Sequence, residues 1–392
     1  MQRCYKVALQ MAAVAGVRAL QRLHQPGIFQ RCFGLIPAQL TPTCLPRRLC
    51  TAPTGSKERK QPDTPENVSL VENLNLMGVD VKMVRLRQPG VLRKAFTNEQ
   101  AVALFLDKKG APTNMIASII SRYPRAITRS VQHLEQRWVL WRKIFNTDEE
   151  IMIVLYRSPE SFFRTSNNAN FDNNITFLTS LGLDTKDLHR LLTTAPRTFS
   201  NSLVLNKRMV AFLEEICAEL GGNNPEQFPK AVISRNPYIL IRSTKRVRTN
   251  IDILRASLML SNSELLHLFQ GPGAEIMDLS SECLKNNFLS LEQKMVAVGC
   301  QKADIKKLIL SFPMILFIGK DTLSSKLDCL LKGGITMEQI VRKPKVLEYS
   351  TQNISGRLEE LKRVGYDFQD KGINVLDSSQ KRFDAKIERL DA

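Results

Sequence analysis

Prolines recur along this chain at a nearly fixed interval, and that regularity restricts the fold more than any other feature. From Pro124 the series runs through Pro159, Pro196, Pro237, Pro272 and Pro313 to Pro344, with a mean spacing of about 37 residues. Each follows an apolar, helix-like run. In six of the seven frames an apolar side chain stands three places later: Ile127, Phe162, Phe199, Leu240, Leu316 and Leu347. In the Pro272 frame the apolar residue, Ile276, comes one place further on. Proline has no amide hydrogen to give and disfavours helix at the residue before it, so each one marks a helix end and the start of a tight turn.

Two helical stretches precede each proline. Met209, Phe212, Leu213 and Ile216 fall at i, i+3, i+4 and i+7, and Ile251, Leu254 and Leu258 at i, i+3 and i+7, the spacing of one amphipathic stripe. The second stretch opens with a capping-box pattern in several units: Thr147 with Glu150, Ser261 with Glu264, Thr336 with Gln339. Strand signals are few. A unit of this size cannot bury its apolar face alone, so its repetition predicts a stacked all-α solenoid of proline-ended, triple-helical units. Eight or nine fit between about residue 70 and the C-terminus, the last of them irregular.

Composition removes several classes of function. No apolar run is long enough to cross a bilayer, so no membrane partner is expected. The eight cysteines form no pair with metal-ligand spacing, and the four histidines, His24, His133, His189 and His267, are far apart. At Gly319-Lys320 the glycine that a phosphate loop requires six places before the lysine is Met314, and no G-x-S-x-G is present. The expectation is a protein with no catalytic residues, no metal and no cofactor, and therefore not an enzyme.

Charge points elsewhere. The 392 residues carry a formal charge of +18. Residues 1–57 contain eight Lys or Arg and no Asp or Glu, with Lys6, Arg18 and Arg22 interleaved among Val7, Leu9, Met11, Val14, Val17 and Leu20. That is the pattern of a basic amphipathic presequence for import into mitochondria, assigned to residues 1–54. A polar linker is expected at 55–69 and the solenoid at 70–392. Residues 58–392 keep +10 of the charge, and the turns after the prolines deliver Arg125, Arg129, Arg164, Arg197, Arg242, Lys320 and Lys345, about one per repeat. Denser clusters lie at Lys82, Arg85, Arg87, Arg93 and Lys94, at Arg242, Lys245, Arg246 and Arg248, and at Lys381, Arg382, Lys386 and Arg389. Cations in register with a structural repeat suit a phosphate backbone, which makes the array a nucleic-acid binder. Glu275 and Asp278 allow a metal site or a role as caps and base-edge acceptors, and the second is favoured.

The segments Ser121 to Arg129, Arg157 to Arg164, Ala195 to Ser202, Ser243 to Val247 and Gly271 to Ile276 resemble the mTERF family of organellar proteins. The resemblance extends from about residue 70 to the end. It implies a left-handed solenoid that wraps double-stranded mitochondrial DNA as a monomer in the matrix nucleoid. It also implies sequence-specific binding at the boundary of the ribosomal RNA and leucine tRNA genes, with arrest of the mitochondrial transcription machinery. The family's DNA-reading arginines fall on Arg164, Arg197, Arg246 and Arg382; a further one is Lys345 here, which keeps the charge and loses the bidentate fork. The positions implied to hold extruded bases are Arg157, Tyr238 and Cys283. A thiol has no stacking face, so either Phe288 swings in to replace it or only two bases are held. An RNA-binding solenoid acting in mitochondrial ribosome assembly is the alternative that fold and charge equally allow.

Overall fold

In the computed structural model, residues 65–164 and 167–391 are described; the expected presequence and most of the expected linker lie outside them. The described residues are helical throughout, with no strand. Each unit is a long helix, a shorter second helix and a turn. Long helices include Val131–Arg142, Asn168–Ser180, Leu203–Glu219 and Thr244–Leu258, then Ser281–Ala297, Lys320–Lys332 and Thr351–Arg363. The prolines do what their chemistry dictates. Pro124, Pro159, Pro196, Pro272, Pro313 and Pro344 each occupy the first position of a short helix, and Pro237 precedes the 3-10 turn Ile239–Ile241. An eighth turn begins at Pro89, with Leu92 three places on, extending the same frame one unit towards the N-terminus. The apolar residue after each proline is buried: Leu92, Ile127, Phe162, Phe199, Leu240, Ile276, Leu316 and Leu347. All three capping boxes form.

The chain groups into two compact units, one through Leu279 and one from Ser280 onward. Within each, long helices pack on neighbouring long helices and second helices on second helices. The N-terminal unit is centred on aromatic rings, with Trp141 edge-on to Phe162 at 5.1 Å and Phe171 tilted on Phe199 at 5.3 Å. Among the described residues no helix is long and apolar enough to cross a membrane.

A set of buried polar side chains closes the units. The seventh residue of each of six long helices is Arg137, Asn174, Asn250, Asn287, Lys326 or Arg357, all buried. Each donates to carbonyls of the turn that ends its own unit. Arg137 donates to Phe162 at 2.7 Å, Asn174 to Asn201 at 3.0 Å, Asn250 to Leu279 at 2.9 Å and Asn287 to Leu316 at 2.8 Å. Lys326 reaches Leu347 at 2.6 Å, and Arg357 reaches Leu376 and Ser378, each at 2.8 Å. The reason is that a short turn after a proline leaves carbonyls with no helical donor, and buried backbone acceptors need partners.

Long helices mostly end on a glycine with positive φ, among them Gly182, Gly221, Gly299, Gly334 and Gly365. One ends on Met259, at φ 49° and 79% exposed. A side chain in the left-handed region costs about 1 to 2 kcal/mol, of which the freedom that glycine adds to the unfolded chain takes back about half. Met259→Gly should therefore raise unfolding stability by about 0.5 to 1 kcal/mol, read from urea midpoints.

Candidate nucleic-acid interface

The turns place their cations where helices end and the chain reverses. Arg164 follows the short helix Pro159–Phe163, and Arg197 lies in the turn Pro196–Ser200 of the next unit. Both are half exposed and share one carboxylate, Glu160, at 3.3 Å from Arg164 and 3.9 Å from Arg197. Exposed pairs of this kind contribute about 0 to 1 kcal/mol, so a phosphate or a base edge can take Glu160's place at little cost. Arg157, at the end of the helix Asp148–Arg157, is exposed, and its guanidinium has no hydrogen bond or ion pair among the described residues.

A second group surrounds the turn after Pro237. Tyr238 stands half-buried, at the rim of the core rather than inside it, with the Arg242 guanidinium 5.9 Å from its ring centre. Arg242 is in turn held by the buried Asp278 carboxylate at 3.3 Å. Burial pushes the Asp278 carboxyl above its usual range, and Arg242 and then Arg246 oppose that shift. Glu275 occupies the place where other turns carry a core residue. The Pro272–Asp278 turn is seven residues long, so Ile276 takes the core position and Glu275 is left half-buried. Its carboxyl is raised by burial first and by Asp278 next, while Arg190 draws it down. Lys245 is exposed and Arg246 half-buried on the first turn of Thr244–Leu258.

In the unit from Ser280 onward, Lys345 and Arg382 are exposed, on the turn Pro344–Glu348 and the helix Gln380–Asp391 respectively. Cys283 is half-buried and accepts from Asn287 Nδ2 at 3.5 Å. Phe288 lies on the buried face of Ser281–Ala297 at 6% exposed, packed into the core.

Several cations that the sequence assigns to the ladder are engaged in structure instead. Arg129 donates to the carbonyls of Phe163 and Arg164 at 2.8 and 2.9 Å, tying one turn to the next. Arg248 faces away from Arg242 in its bonding, pairing with Glu215 and Glu219 of the neighbouring long helix and covering Phe212. Arg85 pairs with Glu66, and Arg87 donates to the Arg122 carbonyl. Arg242 itself is held by Asp278, a partner 36 residues away that no local pattern reveals.

The mTERF family model matches residues 71–384. The chain belongs to the mTERF family. The mitochondrial transcription termination factor 1 of Rattus norvegicus is 50% identical over 325 residues, covering 83% of this chain and 87% of that protein. The Homo sapiens protein of the same name is 48% identical over 325 residues, 83% of this chain and 82% of its own length. Mitochondrial transcription termination factor 2 of Homo sapiens is 30% identical over 329 residues, 83% and 84% of the two chains. In this member of the family the turn cations are of two kinds, some held within the fold and some exposed.

If Arg197 and Arg246 read base edges, Arg197→Ala and Arg246→Ala should each weaken binding to the specific duplex by about 1 to 3 kcal/mol and change binding to a scrambled duplex much less. Lys345→Ala should weaken both alike, because an ammonium meets phosphate as a point charge. Titrating each variant against the two duplexes at one salt concentration checks this; equal losses on both for Arg197 and Arg246 would remove them from the reading set.

Proposed function

We propose that this protein binds double-stranded mitochondrial DNA in a sequence-specific way and terminates mitochondrial transcription at the boundary of the ribosomal RNA and leucine tRNA genes. The observation that carries the reading is the recurrence of cations from unit to unit, with Arg164, Arg197, Lys345 and Arg382 exposed and Arg246 half-buried, on a chain about half identical to proteins named mitochondrial transcription termination factor 1. Phosphates along the backbone supply most of the affinity and its salt dependence. The arginine forks, offered to guanine in the major groove, supply sequence preference. Binding tightly enough to untwist the duplex is offset by turning bases out onto Arg157 and Tyr238, with Cys283 leaving a third position without a π face. Arrest follows when the bound protein dissociates more slowly than the polymerase attempts to pass. The protein acts as a monomer in the matrix nucleoid, with residues 1–54 as its presequence.

Competition between matched duplex DNA and RNA of the same sequence at one salt concentration tests the reading. The duplex DNA should outcompete the RNA, and in a parallel titration should bind at least about 1,000-fold more tightly than a random duplex, as specific DNA binders do. Preference for RNA would favour a role in mitochondrial ribosome assembly. Deleting residues 1–50 should abolish import into isolated mitochondria and leave duplex binding unchanged; normal import of the shortened chain would contradict the presequence assignment.

A further inference from the structure

The residues that hold Arg157 and Tyr238 in place are not themselves in the turns. The helix Asp148–Arg157 runs up to Pro159, and Phe228–Arg235 runs up to Pro237. The last carbonyls of a helix lack intrahelical donors, and a following proline cannot supply an amide hydrogen to satisfy them. In both cases an arginine from the preceding unit's second helix does so. Arg122 donates to the Tyr156 carbonyl, also donates through Nε to Ser118 at 3.3 Å, and lays its guanidinium 4.8 Å from the Tyr156 ring centre. Arg190 donates to the Arg235 carbonyl at 3.2 Å. A cation at a helix C-terminus also complements the negative end of the helix dipole.

Register makes the pattern informative. Arg87, Arg122 and Arg157 each stand two places before a proline, at Pro89, Pro124 and Pro159. Arg87 caps Arg122 at 3.3 Å and Arg122 caps Tyr156, but Arg157 has no such acceptor among the described residues and stays exposed. From Arg235 only Asn236 and Pro237 lead to Tyr238, and Asn236 is buried and donates to Ala274 at 3.0 Å. Each stacking side chain is thus one to three residues from a carbonyl that an arginine of the preceding unit holds.

We propose that Arg122 and Arg190 are positioning residues for base extrusion: capping these two helix ends fixes the planes of Arg157 and Tyr238 where an extruded base stacks. The proposal rests on the extrusion reading above. Lysine keeps the charge at either position but offers a single compact donor group in place of the planar fork, and at Arg122 it cannot also lie flat on Tyr156.

The test uses the full chain and a duplex carrying 2-aminopurine at the centre of the site. At saturating protein every duplex is occupied, so the amplitude of the fluorescence rise reports how well bases are held out and is insensitive to a modest loss of stability. Arg122→Lys and Arg190→Lys should keep the salt dependence of binding, lower the saturated amplitude by half or more, and speed dissociation by about tenfold, the order expected for one stacked base. Thermal midpoints of both variants confirm folding, and the two sites report independently. Wild-type amplitude in both lysine variants overturns the positioning role while leaving extrusion intact. Wild-type amplitude with affinity lowered alike on the specific and a scrambled duplex overturns it too, since the arginines would then be phosphate contacts. No fluorescence rise with the wild-type chain removes the extrusion reading, and the positioning role with it.

Discussion

Replacing Arg137 with alanine should destabilise the N-terminal unit by about 3 to 5 kcal/mol, the largest single-site effect expected in this chain. Arg137 is 1% exposed and has no carboxylate partner among the described residues. Its guanidinium is satisfied by the Phe162 carbonyl at 2.7 Å, Asn168 Oδ1 at 2.8 Å and the Asn167 carbonyl at 3.3 Å. Burial pushes its pKa down to about 10, so the side chain stays protonated at neutral pH with carbonyl oxygens in place of a counter-ion. Alanine removes those bonds, leaves the Phe162 carbonyl without its buried donor and opens a cavity where the buried side chain stood. Arg137→Met separates these contributions: it fills most of the space and loses the donor, so it should cost only about 1 to 3 kcal/mol. Urea unfolding of the two variants reads the difference. Equal costs would mean that the buried hydrogen bonds contribute nothing beyond volume.

The second large effect is functional. Arg157→Ala with Tyr238→Ala should leave initial binding to the duplex close to that of the parent chain and shorten the residence time at the specific site by 100-fold or more, because each stacked base contributes about 1 to 3 kcal/mol. Encounter depends on the turn cations, which the double variant retains. Extrusion follows encounter and slows departure, so termination should fall much further than affinity for a scrambled duplex. Stopped-flow association and dissociation on a labelled duplex measure both quantities. A double variant whose dissociation matches the parent would show that these side chains hold no base.

The repeat and its helical content were legible because proline and the apolar residue after it answer to local chemistry: a missing amide hydrogen and a side chain that must be buried. Even the irregular Pro272 frame made sense, with Ile276 moved one place on and the turn lengthened to seven residues. The site was legible only in part, because charge alone does not say what a guanidinium touches. Arg164 and Arg129 look alike in sequence, yet one shares an exposed carboxylate and the other is bound to two backbone carbonyls. Arg248 sits two places from Arg246, and a helix turns far enough in two residues to point it at Glu215 and Glu219 instead. Asp278 and the seventh-residue series from Arg137 to Arg357 depend on partners 19 to 36 residues away. The seventh-residue series had one local sign, a polar residue set into an apolar stripe at the same place in helix after helix. Phe288 shows the converse, since only the packed helix reveals that its ring is committed to the core.

Run-off transcription with the mitochondrial RNA polymerase tests the central claim most directly, using a template that carries the ribosomal RNA and leucine tRNA gene boundary beside one in which that segment is scrambled. The expected result is a shortened transcript ending at the boundary, which grows with protein concentration and is absent on the scrambled template. Full-length transcript from the intact boundary at protein concentrations that saturate the duplex would contradict the account.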